Sequence, residues 1–212
     1  MNNNKVKVIG DIVNKFEFSH QINDEKFFRT FVSAKRTSGT EDVLPVVVSE
    51  KLIDTTVDIR GMRVEIIGSF RSRNHYYDGK SHLELYVWPS LIQCTQNDYE
   101  NVIEMDGFVC KQPTLRDTPF GRQISDAIIA VNRRMGKTDY IPVLAWSRNA
   151  VFMAGLLIGT RVSIKGRIQS RDYYKKIGDE LEQRTAYEVS ITDMDLWGDE
   201  DGSSMAEKGI LQ

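Results

Sequence analysis

The sequence predicts an all-β protein made of two tandem copies of a small five-stranded barrel, followed by a disordered acidic tail. Three observations predict this fold: an internal repeat about 97 residues apart, alternation of apolar and polar residues within each copy, and a glycine in the middle of one strand of each copy. The 212 residues allow one domain or two small ones, and 41% of them are hydrophobic. That balance is typical of a globular chain.

The repeat consists of aligned blocks in the same order. At an offset of 97, residues 8–12 align with 105–109, and Arg36, Asp42 and Pro45 align with Arg133, Asp139 and Pro142. At an offset of 98, residues 61–68 align with 159–166, and 71–73 with 169–171. Four such blocks with so few gaps do not arise by chance, so the chain is a duplication. We expect one domain at 1–96, a second at 101–197 and the tail at 198–212, where glycine, serine and acidic residues predominate.

Each copy is expected to contain five strands. In the second copy the apolar patterns fall at residues 101–110, 123–132, 138–146, 159–170 and 184–196. Between Val162 and Ile168 apolar residues or glycine alternate with polar ones, which is the period of a half-buried strand. Gly68 and Gly166 lie in mid-strand and predict a sharp bend of the kind that barrel corners require.

A short helix is expected between the third and fourth strands of each copy. In the second copy Ser147 can cap a helix that runs through Ala150 and Met153 and stops before Gly159. In the first copy Ser49 and Gly61 bracket the equivalent segment. Five strands with a helix at this point describe an OB-fold, a partly open barrel that often binds oligonucleotides.

Composition argues against several classes of protein. The net charge of −2 is unlike that of a bulk electrostatic DNA binder, although residues 101–197 are mildly basic and the last fifteen are acidic. The three histidines and two cysteines lack the spacing of metal ligands, and no catalytic motif or membrane-length apolar run is present. We therefore expect no enzyme, no cofactor, no metal and no membrane, and a cytoplasmic, nucleoid-associated protein.

Aromatic and basic residues share strand faces in the second copy. Steps of two along its fourth strand give Arg161, Lys165, Arg167, Arg171 and Tyr173, and along the third strand Tyr140, Leu144 and Trp146. A cationic groove with aromatic platforms binds single strands without sequence preference, because cations follow phosphates and rings stack on any base. The alternative is a solvated strand face with Tyr140 and Trp146 in the core.

The second copy resembles the bacterial single-stranded DNA-binding protein family. The motifs that carry the resemblance are Gly107, 113–118, Gly121, 130–133, 138–143, Trp146, 166–171 and 187–189. The resemblance implies a sequence-tolerant protein that coats single-stranded DNA in replication, recombination and repair. Most members carry one OB-fold and form tetramers, whereas a minority carry two and pair as dimers. This chain is similar to the tandem form, which implies a homodimer with four OB-folds.

The resemblance also implies a set of DNA contacts. The family's stacking positions correspond to Tyr140, Trp146 and Tyr173, whereas the first copy has Val43, Ser49 and His75 in their places. Whether the first copy contacts DNA therefore stays open. The expected contacts are Tyr140, Trp146, Tyr173, Arg133, Arg161, Lys165, Arg167, Arg171, Arg71, Arg73, His75 and Tyr76.

The tail departs from the family pattern. Family members usually end in an acidic segment with a Pro-Phe tip that recruits replication or repair proteins, and here residues 199–201 are acidic but the chain ends in Ile210, Leu211 and Gln212.

Two other functions remain open: an OB-fold module that binds proteins, favoured by Val43 and Ser49 in the first copy, and an RNA-binding OB-fold protein.

Overall fold

The computed structural model describes residues 3–77, 79–177 and 180–197. The first half of the chain contains strands β1 (Asn4–Ile12), β2 (Glu17–Ile22), β3 (Glu25–Lys35), β4 (Glu41–Ser49), β5 (Arg63–Tyr77) and β6 (Lys80–Cys94). The second half contains β7 (Glu100–Val109), β8 (Thr114–Asp117), β9 (Gln123–Asn132), β10 (Thr138–Trp146), β11 (Arg161–Ile177) and β12 (Glu180–Leu196). A 3-10 turn, Arg134–Gly136, precedes β10, and helix α1 (Arg148–Ala154) follows it.

Each half closes into a five-stranded barrel. In the first barrel the ring runs β1-β3-β4-β6-β5 and back to β1, and in the second it runs β7-β9-β10-β12-β11 and back to β7. Every pairing within these rings is antiparallel except β4 with β6 and β10 with β12, which are parallel. The expected all-β fold of two five-stranded barrels is therefore confirmed.

Alternation of apolar side chains builds the barrel interiors. Val32, Leu44, Val46, Val64 and Phe70 are buried in the first barrel, and Ile129, Ile141, Val143, Val162 and Ile168 in the second. The bends at the mid-strand glycines are also present, because the ladders shift register at Ile67/Gly68 and at Lys165/Gly166. A Cβ atom at Gly68 would lie 2.2 Å from the carbonyl oxygen of Trp88, and one at Gly166 2.3 Å from that of Ser190. Only glycine allows two backbones to approach this closely.

One short strand in each half was not expected. β2 and β8 each pair only with the strand that follows them and form a hairpin outside the ring. β8 has four residues, all of them exposed, so it carries no alternation of apolar and polar side chains by which it could be recognised. The β11–β12 hairpin is also longer than predicted, because exposed residues beyond the barrel continue the ladder to Ile177 and Glu180.

The expected helix is present in the second half only. α1 follows Ser147, but the serine side chain makes no capping bond, and its carbonyl oxygen instead accepts the Ala150 N–H at 3.0 Å. The prediction of a helix in the first half is wrong, because residues 50–62 form turns. Asp54 Oδ1 accepts the Thr56 N–H there at 2.9 Å, and Asp58 Oδ1 accepts that of Arg60 at 3.2 Å. Such local bonds compete with a helix.

The barrels are joined edge to edge through their first strands. β1 pairs antiparallel with β7, with Val6 opposite Ile103, so that the two barrels are related by a pseudo-twofold axis. Equivalent side chains repeat the same bonds on either side: Asn4 Oδ1 accepts the Phe70 N–H at 2.9 Å, and Asn101 Oδ1 accepts that of Ile168 at 3.0 Å. The 12 strands thereby form one continuous sheet.

A buried carboxylate from each barrel bonds the backbone of the other, and we call these two contacts the barrel joint. Asp139 is 1% exposed, and its Oδ1 accepts the Ser72 N–H at 2.6 Å. Asp42 accepts the Ser170 N–H at 3.1 Å in the equivalent contact. Arg133 and Arg36 neutralise the two carboxylates, and the Arg133 Nε lies 2.7 Å from Asp139 Oδ2.

The predicted tail at 198–212 lies outside the described residues. Within the described part of the chain, no helix is long and apolar enough to cross a membrane, since α1 has 7 residues. The same residues contain no group of three side chains placed to hold a metal ion.

Candidate nucleic-acid interface

The outer face of the second barrel presents two exposed aromatic rings from β10. Tyr140 is 45% exposed and Trp146 is 36% exposed, while Leu144 between them is buried. The Trp146 Nε1–H donates to Ser190 Oγ at 3.3 Å, which fixes the edge of the indole against β12. An indole held at its edge with part of its surface in solvent can stack on a base.

A cleft of about 900 Å³ lies between the two barrels and brings predicted site residues from both copies together. Arg73 and His75 come from the β5 end of the first barrel, and Tyr173 comes from the β11–β12 hairpin of the second. Phe31 and Pro45 form part of its wall, and Arg29 and Arg184 also line it. We call this the interbarrel cleft, and it combines aromatic rings with cations from both barrels.

Glu84 organises the cations of the interbarrel cleft. Its carboxylate accepts from Arg73 at 3.0 Å and from His75 Nε2 at 2.6 Å, and it also contacts Arg29. A carboxylate only accepts, so the Nε2 atom of His75 carries the hydrogen. Burial and the nearby charges of Arg73 and Arg29 lower the pKa of His75.

The basic row along β11 is divided between two environments. Lys165 lies 3.2 Å from Glu104, and it lines a pocket with Asp106, Asp193 and Asp195. Arg161 stacks on Trp197, with its guanidinium carbon 3.5 Å from the ring centroid. Of the predicted row, Arg161 therefore lies against the indole of Trp197, and Lys165 lies in an acidic pocket. Beyond the bend at Gly166, the basic side chains of β11 lie close to the first barrel.

The rest of the row lies close to the seam between the barrels. Arg167 lines a groove with Arg36 and Asp42, and burial lowers the pKa of its guanidinium. Arg171 lies 3.8 Å from Glu188 and 6.0 Å from the ring centroid of Tyr173, which places it beside the interbarrel cleft. Arg133 belongs to the barrel joint, where its side chain is 25% exposed.

Two predicted residues of the first barrel lie in different settings. Tyr76 is exposed near the tip of the β5–β6 hairpin, and its hydroxyl donates to the Gly79 carbonyl oxygen at 3.0 Å. Arg71 lies on the outer face, with its guanidinium carbon 4.6 Å from the ring centroid of Trp88. Sequence reasoning missed Trp88, although its alternation with buried Val87 on β6 could have marked it as an outward-facing ring.

Comparison with known proteins identifies the family of the second half of the chain. Residues 100–197 match the Single-strand binding protein family. A single-stranded DNA-binding protein of Clostridium tetani (strain Massachusetts / E88) is 32% identical over an alignment of 112 positions, which covers 49% of this chain and 75% of that protein. The chain belongs to the single-strand binding protein family.

The family resemblance in sequence falls on the second barrel, whereas the similarity in structure covers both. A relative from Paenarthrobacter nicotinovorans, also named a single-stranded DNA-binding protein, is 32% identical over 106 residues, and the chain spans 61% of its length. The wild-type single-stranded DNA binding protein from Thermus aquaticus has a similar structure, with a TM-score of 0.69 at 19% sequence identity. The match covers 99% of this chain and 95% of that protein. Both halves therefore have the OB-fold seen in that family.

Proposed function

We propose that this protein binds single-stranded DNA without sequence preference along the outer faces of its two barrels. The observation that carries the proposal is the combination of exposed rings at Tyr140 and Trp146 with a cleft that holds Tyr173 and cations of both barrels. Rings stack on any base and cations contact any phosphate, so this surface recognises the chemistry of a single strand. In a duplex the bases are stacked on one another and cannot reach the rings.

Family membership supports the same proposal at a finer level. We propose that the chain is a tandem member of the family, with OB-folds at 1–96 and 101–197, and that it coats DNA exposed during replication, recombination and repair in the cytoplasm. An acidic segment at 199–201 suggests a recruiting tail.

Titration with oligo(dT) tests the function. Tryptophan emission is expected to be quenched as rings stack on bases, and affinity is expected to fall as salt rises. Each phosphate neutralised adds about 0.7 to the slope of log affinity against log salt, so three contacts give a slope of about −2. No saturable binding in low salt would overturn the proposal.

We further propose that two chains associate into a homodimer with four barrels. One chain already contains two barrels related by a pseudo-twofold axis, and a twofold dimer is the commonest closed assembly. Light scattering coupled to size exclusion is expected to give twice the chain mass without DNA. A monomer that persists at micromolar concentration would contradict the dimer and leave DNA binding as a separate question.

A further inference from the structure

The first barrel has an aromatic cluster of its own, outside its core. Phe27 and Tyr86 are buried there with Val47, and Trp88 packs against them. The rings form a column, with Phe27 and Trp88 centroids 4.9 Å apart and His20 stacked on Phe27 at 5.0 Å and 11°. Phe27, Val47, Tyr86 and Trp88 lie on the outer surface of the barrel, because the alternate positions on their strands fill the interior, and His20 is added from β2 outside the ring.

Trp88 and Ser49 have exchanged places relative to the second barrel. The parallel ladders align Val46 with Val87 in the first barrel and Val143 with Val189 in the second. Trp88 therefore corresponds to Ser190, and Ser49 corresponds to Trp146.

The glycine bends give the same correspondence, since Gly68 approaches the carbonyl oxygen of Trp88 as Gly166 approaches that of Ser190. Each barrel thus carries one tryptophan–serine pair on the same part of its outer face. In the second barrel the indole comes from β10, and in the first it comes from β6. The apparent loss of a stacking ring at Ser49 is offset by Trp88 on the neighbouring strand.

A groove of about 480 Å³ runs beside Trp88 and contains groups that suit a nucleotide. Arg71 lies over the indole, and its Nε–H donates to Ser69 Oγ at 3.1 Å, which holds the guanidinium there. Lys51 also lines the groove. Glu25, the acidic residue among the lining side chains, is paired with Lys51 at 2.8 Å and accepts from Ser49.

We propose that Trp88 and Arg71 form a base-stacking site on the first barrel, equivalent in position to the Trp146 site on the second. A base stacks on the guanidinium–indole pair, with Phe27 supporting the indole from within, and Lys51 contacts a phosphate. The site rests on the proposed function, because it takes a nucleotide from the same strand of DNA. It makes the first barrel a DNA-binding unit and not only a support for the second.

The first experiment uses Trp88 as its own reporter. The chain has three tryptophans, so the double variant Trp146→Phe, Trp197→Phe leaves Trp88 as the single source of indole emission while keeping a ring at the other two positions. Fluorescently labelled oligo(dT) reports binding independently through anisotropy. Quenching of Trp88 emission with the same midpoint as the anisotropy change is expected. Binding by anisotropy with unchanged Trp88 emission would overturn the site.

The second experiment separates stacking from packing. Trp88→Leu keeps an apolar side chain but has no π face, and it is expected to weaken oligo(dT) binding about tenfold, within the usual range for one stacked base. Trp88→Phe is expected to restore affinity to within about threefold of the wild type, because it restores a ring.

Tyr99→Leu is the matched control, since Tyr99 also lies under an arginine, Arg63 at 3.9 Å, but in the link between the barrels. It is expected to keep wild-type affinity. A folded Trp88→Leu protein with wild-type affinity would show that the cluster only packs, and if that variant does not fold, the Trp88 emission of the double variant decides. Failure of the wild-type protein to bind oligo(dT) would instead refute the proposed function itself.

Discussion

Replacing Asp139 with asparagine is expected to lower the free energy of unfolding by about 3 kcal/mol. The carboxylate is buried in the barrel joint, where it accepts from the Ser72 backbone and from Arg133 at 2.8 Å. Burial raises the pKa of Asp139, and the bonds from Ser72 and Arg133 lower it by less, so these partners offset only part of the desolvation cost of the carboxylate. An amide in its place leaves Arg133 without a counter-charge. The expected loss lies at the lower end of the usual range of about 3–5 kcal/mol for breaking a buried ion pair, because Arg133 can still reach water.

Urea denaturation of the variant and of a matched control measures this effect. Asp126→Asn removes a carboxylate from an ion pair of similar length with Arg116, 2.6 Å, but at an exposed position, and it is expected to cost less than about 1 kcal/mol. Asp42→Asn, the pseudo-twofold equivalent, is expected to behave like Asp139→Asn. If the Asp139 and Asp126 variants are equally stable, the barrel joint does not hold the two barrels together.

Truncating Trp146 to alanine is expected to weaken oligo(dT) binding by about 1–3 kcal/mol, which is about 5- to 150-fold. Part of the indole is exposed on the outer face of β10, and the bond to Ser190 holds it in position. Tyr140→Ala is expected to lose a comparable amount. Equilibrium titration by anisotropy of labelled oligo(dT) measures both, since this readout does not depend on Trp146 emission.

A thermal melt must accompany the Trp146 titration, because the partly buried indole also packs against β12. Trp146→Phe is the matched variant, and it is expected to retain most of the affinity because it keeps a ring. A folded Trp146→Ala protein with full affinity would show that the outer face of the second barrel is not where bases stack.

The sequence alone predicted the barrels well because their construction is periodic. The predicted segments 123–132 and 138–146 coincide with β9 and β10, and the bends at Gly68 and Gly166 are where mid-strand glycine indicated. β8 was not predicted, because an exposed four-residue strand has no alternation of apolar and polar residues. The helix expected in the first half failed because local bonds from Asp54 and Asp58 to the backbone favoured turns.

The candidate site was harder to predict, since it depends on what lies opposite each side chain. Counting steps of two places Arg161 and Arg171 on one face, but it cannot show that Arg161 stacks on Trp197 while Arg171 lies near Tyr173. Arg133 and Asp139 were aligned with Arg36 and Asp42, yet their role as a joint requires knowing that Ser72 and Ser170 lie across the seam. Trp88 was missed because a position-by-position alignment looks for a ring on the same strand, not on its neighbour.

The central claim is that this fold recognises a single strand through bases that its rings can reach. Competition tests it most directly: labelled oligo(dT) bound to the protein is challenged with unlabelled oligo(dT) or with duplex DNA of equal length, at one fixed salt concentration. Unlabelled oligo(dT) is expected to displace the label at least about thirtyfold more effectively than the duplex, because stacking of two or more bases at about 1–3 kcal/mol each is lost in the duplex. Equal displacement by the duplex would mean that the protein binds phosphates alone, and would contradict the account.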